Sequence, residues 1–184
     1  MRHAPLAIVA ILALVASGCA FNLTERPHQA EPTPRQAGGG KMAKTYDDLL
    51  AEVAIRHPGF GGMFINAEQG LSVYLLDPTQ SAAAEAAIAA VFGPQRIPRE
   101  GIQALQGQYG FLQLKEWYNR MVAVWEISGV ALIDIDEGRN RLAVGLEQIA
   151  QRGAVEDKLK RMGIPRDAVI IEETDPLIPL VPGP

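Results

Sequence analysis

Two short runs in this chain are near copies of each other. Ile97-Pro98-Arg99-Glu100-Gly101-Ile102 and Ile164-Pro165-Arg166-Asp167-Ala168-Val169 stand 67 positions apart throughout. A duplicated segment implies a duplicated supersecondary unit, each copy with an apolar face that must be buried against something. The surroundings of the two runs agree. In the second half, Val130 to Ile135 and Leu142 to Leu146 read as strands flanking Asp136-Glu137-Gly138-Arg139-Asn140. Those loop residues tolerate positive φ and bond locally to backbone, which is what a hairpin turn requires. Val155, Leu159 and Met162 then recur at i, i+4 and i+7 of a helix that Gly163 stops, and Ala168 to Ile171 form a closing strand. In the first half, Phe60 to Ile65 and Leu71 to Leu76 flank Asn66-Ala67-Glu68-Gln69-Gly70. Asp77-Pro78 opens an alanine-rich helix that ends at Gly93, and Ile102 to Tyr109 supply the third strand. The expected fold is α+β: two ββαβ repeats, with antiparallel sheets covered by helices.

Two further helices complete the domain. Thr45 with Asp48 forms a capping-box variant, Leu49, Leu50 and Val53 give one apolar face, and His57-Pro58-Gly59 ends the helix. Between the repeats, Phe111 to Glu126 is the most aromatic segment. Phe111, Leu114, Tyr118, Met121 and Trp125 recur at spacings of three and four, with Trp117 and Val124 widening the stripe. This spacing predicts a joining helix buried against the sheets. The sharper reading makes Trp117, Tyr118 and Trp125 a partner-binding surface, since Trp and Tyr dominate binding hot spots.

Ahead of the domain, Arg2 and His3 precede the apolar run Leu6 to Ala16, which exits through Ser17 and Gly18 to Cys19. A charged start, a short apolar core and a small-residue exit define a secretory signal. The run falls short of the roughly 20 apolar residues that a spanning helix needs. The sequence Val15-Ala16-Ser17-Gly18-Cys19 resembles the lipobox of bacterial lipoproteins, with Ala16 where Leu is commoner. The resemblance implies cleavage before Cys19, acylation of its thiol and a lipid anchor in the cell envelope. Ala20 in place of Asp implies the outer membrane, facing the periplasm, where the host has one. Cys19 is the one cysteine, so no intramolecular disulfide is available to the exported domain. Residues 1–18 are thus read as signal peptide and 19–42 as acylated Cys and tether, broken by Pro27, Pro32, Pro34 and Gly38-Gly39-Gly40. Residues 43–175 form the folded domain and 176–184 a tail punctuated by Pro176, Pro179, Pro182 and Pro184.

Charge and composition limit the function. With 48% hydrophobic residues the chain can build a core, and its net charge of −4 argues against nucleic acid as a partner. No catalytic, cofactor or metal residues are assigned. His57 lies at a helix end beside Pro58, and no Ser stands in a G-x-S-x-G context. Asp134, Asp136 and Glu137 fail as a calcium loop: counted from Asp134, Gly138 falls at position 5 rather than 6, and position 12 is Gly145 rather than Glu. The reading is a non-catalytic protein-binding domain. Its rivals are an envelope enzyme using carboxylates such as Asp134 with Glu147, and a structural envelope component.

The succession Phe60-Gly61-Gly62, a strand from Leu71 to Asp77, an alanine-rich helix, a strand into Tyr109-Gly110-Phe111, then Asp136, Asn140, Leu142 and Val144 carries a second resemblance. It is similar to the pro-regions of bacterial secreted trypsin-like proteases of the alpha-lytic and streptogrisin type, over roughly Phe60 to Glu173. Those pro-regions are not enzymes. They assist folding of the attached protease and then inhibit it, with the C-terminal tail in the active site. No protease follows Pro184 here, so the expectation is a free-standing module that binds or inhibits an envelope protease in trans. The tail from Pro176 suits a cleft because it is extended and resists cleavage; the plainer expectation is a frayed terminus.

Overall fold

A computed structural model describes residues 43–175. The signal segment, Cys19, the tether and the Pro-rich tail lie outside the described residues.

The chain builds two three-stranded sheets. In the first, β1 (Phe60–Ile65) pairs antiparallel with β2 (Leu71–Leu75), and β2 pairs parallel with β3 (Gln103–Gln106). In the second, β4 (Val130–Asp136), β5 (Arg141–Leu146) and β6 (Val169–Glu173) repeat that arrangement strand for strand. The hairpin halves are antiparallel as expected. The third strand is parallel because a helix intervenes: α2 (Ser81–Phe92) or α4 (Arg152–Arg161) carries the chain back to the end of the sheet where the preceding strand began. Even the irregularities repeat. Each sheet has a bulge near the start of its first strand, between Phe60 and Gly62 and between Val130 and Leu132, so Gly61 and Ala131 are equivalent.

The duplication reaches further than ββαβ. Helix α1 (Tyr46–Arg56) precedes β1 as α3 (Phe111–Met121) precedes β4, so each repeat is αββαβ and the joining helix is the first element of the second copy. Thr45 and Asp48 close the capping box that starts α1. One core serves both repeats. Phe60, Met63, Leu71, Val73, Ile88 and Leu50 come from the first; Phe111, Met121, Ile135, Leu142, Val144 and Leu159 come from the second. The Phe60 and Phe111 rings meet across the repeats with centroids 6.2 Å apart. Burial of a side chain of this size stabilises by about 1.5–3 kcal/mol.

The aromatic stripe of the joining segment departs from a single helix. The α-helix stops at Met121, and Val122–Glu126 continue as a 3-10 helix. Tightening from 3.6 to 3.0 residues per turn shifts the phase of every later residue. Val124 is therefore turned into the core, while Trp125 and Val122 stand 45% and 49% exposed.

Candidate functional site

The hairpin turn between β4 and β5 packs onto the outer side of the first sheet. Its last residue, Asn140, is 1% exposed and adopts φ 52, a left-handed conformation that Asn accepts more readily than most residues. Its side-chain oxygen accepts from the backbone N–H of Gln108 and Tyr109 at 2.8 and 2.9 Å. Its amide nitrogen donates to the carbonyls of Gly61 and Tyr109, both at 2.8 Å. All four hydrogen-bonding positions of a buried amide are thus filled by backbone of the other repeat. The neighbouring Tyr74 hydroxyl donates to the Gly138 carbonyl at 3.2 Å.

Beside this junction lies a polar cleft of about 470 Å³ lined by Tyr74, Gln106, Gln108, Arg139, Asn140 and Arg141. Its two arginines differ. Arg139 bonds Glu172 at 2.9 and 3.1 Å and also bonds Asp136, and these carboxylates hold its guanidinium above the ordinary range. Arg141 has no carboxylate within 4.0 Å among the described residues. It donates to Gln108 Oε1 and to the Asn140 carbonyl, and lies 5.0 Å from the centroid of the Tyr109 ring. Asp167, an acid on the same side, is engaged by the Tyr109 hydroxyl at 2.9 Å and by Gln108 at 3.0 Å. The Tyr109 hydroxyl bond, more than Arg141, holds the Asp167 carboxyl below its usual range.

The edges of the two sheets are finished differently. Thr174 N–H donates to Leu146 C=O, so Val169, Ile171 and Glu173 turn their amide groups away from β5. Arg166 donates to the Val169 carbonyl and Arg152 to the Ile171 carbonyl, covering that edge. On β3, Gly107 N–H donates to Leu75 C=O, so Ile102, Ala104 and Gln106 face outward. Glu85 takes the Ile102 N–H at 2.9 Å. Among the described residues nothing bonds the outward amide groups of Ala104 and Gln106. By chain position Arg152 corresponds to Ser81, both opening their helices, and Ser81 has no long cationic side chain to cover β3. The strand itself is held firmly: buried Ser72 donates to Gln103 Oε1 at 2.9 Å, and Asn66 bonds both.

Carboxylates gather on the other side of the β4–β5 turn. Asp134 and Asp136 share the outer face of β4, Glu137 follows them, and Asp47 at the start of α1 is close enough to act on Asp134 and Glu137. Burial, reinforced by these neighbours, pushes Glu137 up to about 7, and burial also raises Asp134. Glu147 does not join them. It bonds Gly129 beyond the far end of β4, about 16 Å along the strand from Asp134 at 3.3 Å per residue. Among the described residues no group of three or more His, Cys, Asp and Glu side chains is placed to hold a metal ion.

The three aromatic residues singled out in the sequence do not form one surface. Trp117 is 6% exposed and meets Tyr109 edge-on at 5.3 Å; Tyr118 is half-buried against the core; Trp125 stands outside. His57 caps α1 through its backbone N–H to Val53, with its side chain buried. Asn140, Arg141 and β3, which the structure brings together, are not distinguishable in the sequence by spacing, because their partners are far along the chain. No family model matches the chain, and no curated protein matches it.

Proposed function

We propose that this chain is a bacterial lipoprotein, anchored in the cell envelope through acyl chains on Cys19, whose domain binds another envelope protein without catalysing a reaction. An envelope protease is the partner class that the pro-region resemblance favours. The single observation that carries the binding half is the contrast between the third strands of the two sheets: two arginines cover β6, while among the described residues nothing bonds the outward amide groups of Ala104 and Gln106 on β3. A free edge takes up an extended segment by continuing the ladder, with the backbone supplying affinity. The exposed pair Val122 and Trp125 offers a second apolar contact.

The anchor and the domain are tested separately. Cys19→Ser should move the protein from the membrane to the soluble fraction of fractionated cells; retention in the membrane sinks the lipoprotein reading. For the domain, the tagged chain is used to capture partners from envelope extract in parallel with Ala104→Pro. Proline at 104 removes an outward N–H and leaves the Gln103 and Leu105 pairing to β2 intact. A partner captured by the native chain and lost with the proline variant supports the reading. Absence of any partner above background opposes it.

A second reading, an envelope enzyme using carboxylates, is favoured by one observation, the raised Glu137 beside Asp134. Its sequence-level pair, Asp134 with Glu147, is divided between the two ends of β4.

A further inference from the structure

We infer that the segment received by β3 carries a carboxylate that docks on Arg141 in the adjoining cleft, and a basic group at its opposite end. This rests on the protein-binding reading above and narrows it to a chemistry.

The Arg141 guanidinium is fixed before any ligand arrives. One nitrogen is tied to the Asn140 carbonyl at 2.9 Å, another to Gln108 Oε1, and the Tyr109 ring lies against it. Asn140 and Tyr109 are themselves locked by the junction between repeats. Five donors less two leaves three N–H groups on a rigid planar fork, the geometry that a carboxylate accepts from two sides. The ordering cost of binding is largely met in advance. Arg139, two residues away and on the same cleft, is already neutralised by Glu172 and Asp136. Arg141, with no carboxylate within 4.0 Å among the described residues, lies where the edge ends, since Gln106, the last residue of β3, and Gly107 after it line the same cleft.

The other end of β3 has the opposite sign. A second cleft, about 270 Å³, is lined by Asn66, Glu68, Glu100 and Gln103. Neither Glu68 nor Glu100 pairs with a cation among the described residues. The outward edge from Gln103 to Gln106 spans about 10 Å. A strand laid along it thus meets acid at one end and Arg141 at the other. Its own charges must be spaced four to six residues apart, about 13–20 Å when extended. A carboxylate at its C-terminal side sets it parallel to β3; at its N-terminal side, antiparallel.

The test uses the full chain in detergent and fluorescent hexapeptides of sequence Lys-Thr-Val-Thr-Val-Glu, acetylated and amidated, with the reversed sequence and with Gln for Glu. A version with Val at the last position and a free terminus separates a C-terminal from a side-chain carboxylate. Fluorescence anisotropy should show saturable binding of one charged orientation. Loss of the carboxylate, or Arg141→Gln, should weaken it about tenfold or more. Arg141→Glu, which leaves acid at both ends of the strand, should transfer the preference to a peptide with Lys at both ends, a reversal that a misfolded variant does not give. Equal binding of the Glu and Gln peptides, or no saturable binding of any charged peptide, overturns the inference. So does Ala104→Pro abolishing self-association of the chain, which would make a second copy the occupant. A partner captured from the envelope by both the native chain and Ala104→Pro would leave the protein-binding reading standing and remove this one.

Discussion

Asn140 donates to the carbonyl of Gly61 at 2.8 Å across 79 positions of chain, and this contact depends on Gly61 having no side chain. A Cβ at Gly61 would lie 2.7 Å from the Tyr109 carbonyl oxygen and 2.8 Å from the Asn140 amide nitrogen. At the equivalent bulge of the second repeat the residue is Ala131. The duplicated unit is thus specialised: the first copy has a socket, and the second copy supplies the turn that fills it.

Asn140→Ala strips four hydrogen bonds, leaving the N–H donors of Gln108 and Tyr109 and the carbonyls of Gly61 and Tyr109 without the side chain that bonds them. It also places a Cβ-only residue at φ 52. The expected loss is about 3–5 kcal/mol, a large share of the 5–15 kcal/mol typical of a domain. Urea unfolding measures it, and a loss below about 1 kcal/mol would mean that the junction does not hold the repeats together.

Gly61→Ala should cost about 2–3 kcal/mol by overpacking. Ala131→Gly, at the equivalent place, should cost about 1 kcal/mol through backbone entropy alone. Because Gly61 and Asn140 share one contact, the double variant Gly61→Ala with Asn140→Ala should fall short of the sum of the two single losses. Additive losses in the same unfolding experiment would show that the two sites are independent.

How far the sequence discloses such a junction follows from chain distance. The hairpins were readable because their turn residues and alternation are local: 66–70 and 136–140 sit between paired strands as expected. The repeat was readable because Ile97-Pro98-Arg99 and Ile164-Pro165-Arg166 kept their identity. Asn140 reads as turn chemistry, which its φ supports, but its side-chain partners lie 31 to 79 positions away. In the sequence Trp125 falls on a helical stripe because a fixed 3.6 period cannot register a change to 3-10 geometry after Met121. The open edge at β3 depends on which outward amide groups a distant helix residue reaches, so residue type alone does not encode it.

Glu137 gives the domain a pH dependence of defined sign. Its carboxyl titrates near 7 in the folded chain, against an ordinary value of 4.5. Below 4.5 both states are protonated and the contribution is complete. Between 4.5 and 7 the unfolded chain releases its proton while the folded chain keeps it, so stability declines with rising pH and levels off above 7. The full linkage of about 3 kcal/mol reduces to about 1 kcal/mol because the group is nearly half open to screening solvent. Urea midpoints at pH 5 and pH 8 should differ accordingly, and Glu137→Gln should flatten the difference. An unchanged slope in that variant would assign the pH dependence to another group.

The covering of β6 makes a prediction about solubility. Arg152 and Arg166 occupy the carbonyls of Ile171 and Val169, which otherwise face outward as acceptors. With both changed to alanine, β6 joins β3 as an edge strand whose outward carbonyls nothing among the described residues covers. A single open edge allows at most pairing of two copies through the same strand. Two different open edges allow head-to-tail addition, which does not close and grows with concentration. Light scattering of Arg152→Ala with Arg166→Ala should therefore show mass increasing with protein concentration, where the native chain does not. Adding Ala104→Pro, which blocks the β3 edge, should reverse the growth. If the double alanine variant keeps the native mass at every concentration, the arginines are not what protects β6.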